Sequence, residues 1–128
     1  MRHTTDTIAA QQRRAALEAE LARILPIIIQ KYPPEKIILF GSLATGDVHE
    51  WSDIDLVIIK ETGLNYYERL LEFKRLLDTD LATDVFIYSP EEFEARVAER
   101  HYFFVEEILE KGKILYERSS RMVEIREG

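Results

Sequence analysis

The run Asp53-Ile54-Asp55-Leu56-Val57-Ile58-Ile59 constrains this chain more than any other stretch. Leu56 to Ile59 is continuous apolar sequence, the pattern of a strand buried on both faces. Side chains at i and i+2 of a strand share a face, so the two carboxylates stand ~5–7 Å apart at its entrance. Like charges at that spacing beside an apolar sheet repel one another and lose solvation, which drives at least one toward its protonated form. A divalent cation reverses that logic and keeps both ionised. Asp84 enters another apolar run, Val85-Phe86-Ile87-Tyr88, after a helical crossover, so it can lie beside the first pair. Asp78 and Asp80 are rivals to Asp84, but both fall in the connection before that strand. Each acidic residue alone reads as an ordinary solvated strand end. Three together at one end of a sheet make an oxygen-rich site suited to Mg²⁺ or Mn²⁺ and not to zinc.

The rest of the chain supplies the frame. Leu17, Leu21, Ile24, Leu25 and Ile28 recur at helical spacing, which predicts an amphipathic helix over residues 7–31. Pro26 is expected to bend or break it, and Pro33-Pro34 to end it. Ile37-Ile38-Leu39-Phe40 reads as a short buried strand stopped by Gly41. Residues 42–52 form a turn-rich connection with room for one helical turn after Ser42. Residues 64–77 have helical periodicity, with Asn65 as a cap. Ser89-Pro90-Glu91-Glu92 has the Ser, Pro and Glu of a helix start. A further helix is expected over residues 99–111, stopping at Gly112, followed by a short edge strand over 113–117. The expectation is one α/β domain over residues 1–117, a small sheet flanked by helices. Residues 118–128 read as a polar, loose C-terminal tail.

At 128 residues, with 46% apolar and 32% charged residues, the composition is that of an ordinary globular chain. The net charge of −7 opposes direct binding to DNA or to anionic membranes, and it opposes free ATP unless the nucleotide arrives with Mg²⁺. There is no cysteine, so thiolate metal sites and disulfides are excluded. The apolar run at residues 24–29 is far too short to span a bilayer, and the expected location is the cytoplasm.

Gly41-Ser42 ends the first strand eleven residues before Asp53. A Gly-Ser turn can present backbone N–H groups and a hydroxyl to a phosphate. Gly41-Ser42-Leu43-Ala44-Thr45-Gly46-Asp47 followed by Ser52-Asp53-Ile54-Asp55-Leu56 resembles the signature of the nucleotidyltransferase superfamily that includes DNA polymerase beta. The small size resembles its minimal (MNT) members, the antitoxins of HEPN/MNT toxin–antitoxin pairs. The resemblance covers residues 37–88 and extends loosely to 116.

It implies a polymerase beta-like fold with a small mixed sheet. It also implies that Gly41 allows close approach of the backbone, Ser42 contacts the triphosphate, and Asp53, Asp55 and Asp84 hold two Mg²⁺ ions, with Mn²⁺ as a substitute. Asp84 would also help draw the proton from an acceptor hydroxyl. The implied reaction is transfer of AMP from ATP to a hydroxyl, with the acceptor a tyrosine of a HEPN toxin. One departure is Thr45, where many members carry Arg; Lys36, Lys60 or Arg69 are candidates to replace that cation.

Chain length points the same way, since 128 residues leave no room for an added acceptor-holding domain. The acceptor is then held by a partner protein or a second copy of the chain. Two other functions stay open: a non-catalytic module that masks a toxin, and a small-molecule nucleotidyltransferase acting as a homodimer. Arg96 and His101 have the R-x4-H spacing of HEPN ribonucleases but read as a solvated Arg and an incidental His. His49 and Trp51 read as surface-loop residues. Tyr66, Tyr67 and Phe73 are expected to be packed or half-packed. The consecutive aromatics Tyr102, Phe103 and Phe104 cannot all face one core, so at least one is expected at the surface.

Overall fold

The computed structural model describes residues 7–78 and 82–118. Its elements are α1 (Ile8–Lys31), β1 (Lys36–Phe40), α2 (Ser42–Thr45), β2 (Ile54–Ile59), α3 (Tyr66–Leu76), β3 (Thr83–Tyr88), α4 (Pro90–Ala98), α5 (Phe103–Glu110) and β4 (Lys113–Glu117). Four strands form one sheet in the order β3-β2-β1-β4. β1 pairs antiparallel with both β2 and β4, whereas β2 pairs parallel with β3 through the α3 crossover. The sheet is therefore mixed, as the resemblance implied.

Alternation along the central strands divides the interior into two layers. Ile37, Leu39, Ile54, Leu56 and Ile58 join Leu17, Ile24 and Ile28 of α1 and Phe73 of α3 in one core. Ile38, Phe40, Val57 and Ile59 join Phe93 of α4 and Phe104 and Ile108 of α5 in the other. Because β1 and β2 are central and covered on both sides, their sequences are continuously apolar instead of alternating. The exception at the end of that pattern is Asp55.

Local chemistry accounts for the helix boundaries. The Thr7 hydroxyl accepts from the Ala10 N–H at 3.0 Å and caps α1. Asn65 with Glu68, and Ser89 with Glu92, each complete a reciprocal capping box. Pro26 does not break α1, which continues through it to Lys31. Burial of Ile24 and Ile28 on either side holds the helix together across the missing donor. α5 differs more from expectation: it begins at Phe103, after an Arg100 with φ of 57°, and is wound as a π-helix. The wider winding still buries Phe104 and leaves Tyr102 67% exposed, so the aromatic triplet divides between core and surface. Tyr67 was expected to be packed but is 69% exposed, because the buried stripe of α3 runs through Arg69 and Phe73. The expected C-terminal tail lies outside the described residues apart from Arg118, whose N–H donates to the Glu35 carbonyl at 2.8 Å.

One polar knot locks the end of the sheet where β2 and β3 finish. Arg69 is buried, and its guanidinium meets Glu92 at 2.7 and 3.0 Å, the Ile87 carbonyl at 3.0 Å and the Leu64 carbonyl at 2.9 Å. Glu92 also accepts from the Ser89 N–H at 2.9 Å, so one carboxylate ties α3, β3 and the start of α4. The Arg69 guanidinium and the Ser89 N–H hold the Glu92 carboxyl down at about 2. A depressed pKa contributes stability that is present above the ordinary Glu range and is lost as pH falls toward 2. Glu92→Gln should cost about 1–2 kcal/mol at pH 7, since a buried guanidinium loses its charged partner at a half-exposed site. Urea melts at pH 7 and pH 3 check this: the deficit should shrink at the lower pH, and an equal deficit at both would contradict the assignment.

Candidate active site

The opposite end of the sheet gathers negative charge. Asp55 is the register partner of Phe40 on β1 and of Asp84 on β3. Paired residues on neighbouring strands share a face, so both carboxylates stand on the layer that holds Phe40 and Phe86. Asp84 lies inside β3 and not ahead of it, because the strand begins at Thr83. Asp53 lies one residue before β2, where its Oδ1 is 3.8 Å from an Arg13 Nη of α1. Phe40, Phe86 and Phe103 wall the site from behind, with ring centroids 5.5–5.8 Å apart.

Burial raises the Asp55 pKa from the ordinary carboxylate range to about 6, reinforced by the charges of Asp84 and Asp53 and a hydrogen bond with Asp84. The backbone permits this crowding only because residue 41 is glycine. Gly41 has φ of +78°, and a Cβ there would overlap Asp55 Oδ2 and stand 3.1 Å from its Cγ. The missing side chain lets the Asp55 carboxylate lie directly against the backbone of the turn.

Ser42 opens α2, and its hydroxyl donates to the Ser52 hydroxyl at 2.8 Å. Ser52 is buried and accepts from the His49 N–H at 2.9 Å. The turn that carries Ser42 is thus braced against the residue before Asp53. α1 braces it from outside: Arg13 Nε donates to the Ser52 carbonyl at 2.8 Å and an Arg14 Nη to the Gly46 carbonyl at 2.6 Å. A shallow concavity of about 450 Å³ is lined by Thr45, Gly46, Asp47 and Lys111. Another of about 250 Å³, lined by residues of α3 and β3, runs beside Asp84.

The structure brings together Gly41, Asp55 and Asp84, with Ser42 and Asp53 on the connections next to them. The donor set consists of oxygen, which suits a hard divalent cation. The crowding of Asp55 by Asp84 and Asp53, which raises its pKa, fits such an ion as well. Among the described residues, no three His, Cys, Asp or Glu side chains are yet gathered closely enough to enclose one ion. Asp53 is engaged with Arg13.

Of the two rival carboxylates, Asp78 follows α3 and is exposed, and Asp80 lies outside the described residues. The three cations proposed to replace the Thr45 position are all at the other end of the sheet. Lys36 pairs with Glu117 at 3.3 Å, Lys60 lies 4.9 Å from the Tyr32 ring centroid, and Arg69 is bound to Glu92. Arg13, Arg14 and Lys111 are the cations near the turn, and sequence reading passed over them. A basic pair on an amphipathic helix carries no local signal of what it will dock against. Arg96 pairs with Glu99 at 3.5 Å and is exposed, and Trp51 is 76% exposed on its loop, both as expected.

Residues 22–121 match the family model described as "Polymerase beta, Nucleotidyltransferase". The chain is 37% identical over 82 residues to "Putative protein adenylyltransferase MJ0604" of Methanocaldococcus jannaschii, which covers 64% of this chain and 78% of that protein. Among solved structures it is similar to a "putative nucleotidyltransferase from Sulfolobus solfataricus", with a TM-score of 0.62 and 18% identity over 89% of this chain and 92% of the other. At that identity the likeness speaks for the fold. A toxin–antitoxin structure, MntA-HpeT, has a TM-score of 0.44 at 18% identity over 83% of this chain and 86% of the other.

A raised carboxyl pKa makes the proton on Asp55 stabilising. That contribution is complete below the ordinary Asp range and is lost as pH rises through about 6. Asp55→Asn removes the penalty, on the order of 1–2 kcal/mol once partial exposure is allowed for. Metal-free melts should show the variant gaining on the wild type as pH rises from 4 to 7. A constant difference across that window would contradict the crowding.

Proposed function

This chain belongs to the polymerase beta nucleotidyltransferase family, and from that premise we propose that it transfers AMP from ATP to a hydroxyl on a partner protein. The acceptor class is supported by the name of the Methanocaldococcus relative, a protein adenylyltransferase by that description. The resemblance to minimal nucleotidyltransferases suggests a HEPN toxin as the partner and an antitoxin role for this chain. No helix among the described residues is long and apolar enough to cross a membrane.

The observation that carries the site assignment is the register of Asp55 with Asp84, alongside a Gly41 whose missing side chain lets the Asp55 carboxylate close against the turn. In this reading Asp53, Asp55 and Asp84 hold two Mg²⁺ ions. Bound there, the ions would neutralise charge on the attacking and leaving oxygens. Gly41 lets the backbone come close to the triphosphate, and Ser42 offers its hydroxyl and N–H to the phosphates. The acceptor oxygen forms its bond to the α-phosphorus as the bond to the β-phosphate oxygen breaks and pyrophosphate leaves. Asp84, on the edge strand and the most exposed of the three, takes the acceptor's proton and passes it to water. Asp55, deeper between two strands, keeps its carboxylate fixed.

Incubation with α-labelled ATP, Mg²⁺ and the candidate HEPN partner tests the reading. Label should move to the partner with wild-type protein and fall by a factor of about 10³ or more with Asp55→Asn, as expected when transition-state charge stabilisation is lost. If no label moves and an Asp53→Ala/Asp55→Ala double variant still inhibits the toxin fully, the masking function replaces the enzymatic one. Mg²⁺-ATP should also raise the melting temperature, and EDTA should remove the increase.

A further inference from the structure

Arg13 stands where the site's negative charge meets its phosphate-binding turn. Its Nε is held by the Ser52 carbonyl at 2.8 Å, and Ser52 in turn holds the Ser42 hydroxyl at 2.8 Å. An Nη of the same guanidinium is 3.8 Å from Asp53 Oδ1, close enough for Coulomb attraction and too long for a hydrogen bond. The fork is thus anchored at one nitrogen while its outer nitrogen faces a carboxylate loosely. Arg14, by contrast, is bound to the Gly46 carbonyl at 2.6 Å. Lys36, Lys60 and Arg69 are at the far end of the sheet. The side chains of Arg13 and Asp53 are 24% and 37% exposed, so the pair is open to an arriving ligand.

We propose that Arg13 is the resident counter-cation of Asp53, displaced by the arriving divalent ion and then taken up by the phosphates of the nucleotide. This inference rests on the metal and nucleotide assignments above. The physics runs in two opposite directions. Without nucleotide, a guanidinium beside Asp53 competes with the metal for the same oxygen and opposes its charge, so Arg13 weakens binding of the bare ion. With nucleotide, the anchored fork gains phosphate oxygens that match its geometry, so Arg13 strengthens binding of the metal-nucleotide complex. The outcome is a site that is charged with metal chiefly when the nucleotide brings it. Arg13 is a positioning residue for Asp53 in the empty site and a phosphate contact in the filled one. Its place on α1 links that exchange to how α1 docks on the turn.

The test separates the two directions. Binding of Mn²⁺ alone to the full chain is read by electron paramagnetic resonance. Binding of a non-hydrolysable ATP analogue at saturating Mg²⁺ is read by calorimetry. Arg13→Gln should bind bare Mn²⁺ roughly two- to fivefold more tightly, the scale of a partly exposed ion pair. The same variant should bind the analogue several-fold more weakly. Arg13→Lys keeps the charge but cannot reach Ser52 and Asp53 together. It should leave Mn²⁺ binding near the wild-type value and still weaken the analogue, and it carries the test if Arg13→Gln does not fold. A mere brace for the turn would weaken both ligands together, and that result, or no change in either, overturns the inference. If wild-type protein binds neither ligand, the functional reading falls with it; if it binds both, only the Arg13 assignment is at stake.

Discussion

The structure depends on β2 being buried on both sides while carrying a carboxylate at its entrance. Ile54, Leu56, Val57 and Ile58 are fully buried, and Asp55 sits between them, paired with β1 on one side and β3 on the other. Burying Ile54, Leu56 and Ile58 alone contributes about 5–9 kcal/mol as an upper bound. That exceeds the cost, on the order of 1–2 kcal/mol, of bringing Asp55 against Asp84 and Asp53. The apolar strand wins, and the repulsion stays in the folded chain as an unfilled demand for positive charge.

The two ends of the sheet satisfy their charges differently. At the Ile59–Tyr88 end, Arg69 and Glu92 neutralise one another, and their spare donors and acceptors meet carbonyls and a capping N–H. That end is complete in itself and adds rigidity. At the Asp55–Asp84 end, α1 offers one loosely held guanidinium against three carboxylates. A domain that places its well-matched ion pair far from its excess charge keeps stability and chemistry on separate residues. The aromatic wall of Phe40, Phe86 and Phe103 joins the two, because it fills the layer between them.

Much of this was readable from the chain. The continuous apolar runs gave away doubly covered strands, and the caps at Asn65 and Ser89 located the starts of α3 and α4. The Gly41-Ser42 and Asp53-Ile54-Asp55 spacing pointed to the family. Other features depend on contacts that no local pattern encodes. Pro26 stays inside α1 because Ile24 and Ile28 are buried around it, which is a tertiary effect overriding a backbone one. The π-helical winding of α5 places both Phe103 and Phe104 against the Phe40–Phe93 layer, and helical periodicity could not announce it. Arg69 read as a candidate replacement for the cation missing at Thr45 and proved to be the buried centre of a knot. Arg13, passed over in the sequence, reaches across 39 positions to the acidic turn.

Crystals grown with Mn²⁺ and a non-hydrolysable ATP analogue give the most direct check on the carboxylate site. Anomalous scattering should place manganese within about 2.3 Å of oxygens from Asp53, Asp55 and Asp84, with the triphosphate along the Gly41-Ser42 bend. Manganese bound elsewhere, or bound with Asp84 uncoordinated and the phosphates away from that bend, would contradict the account.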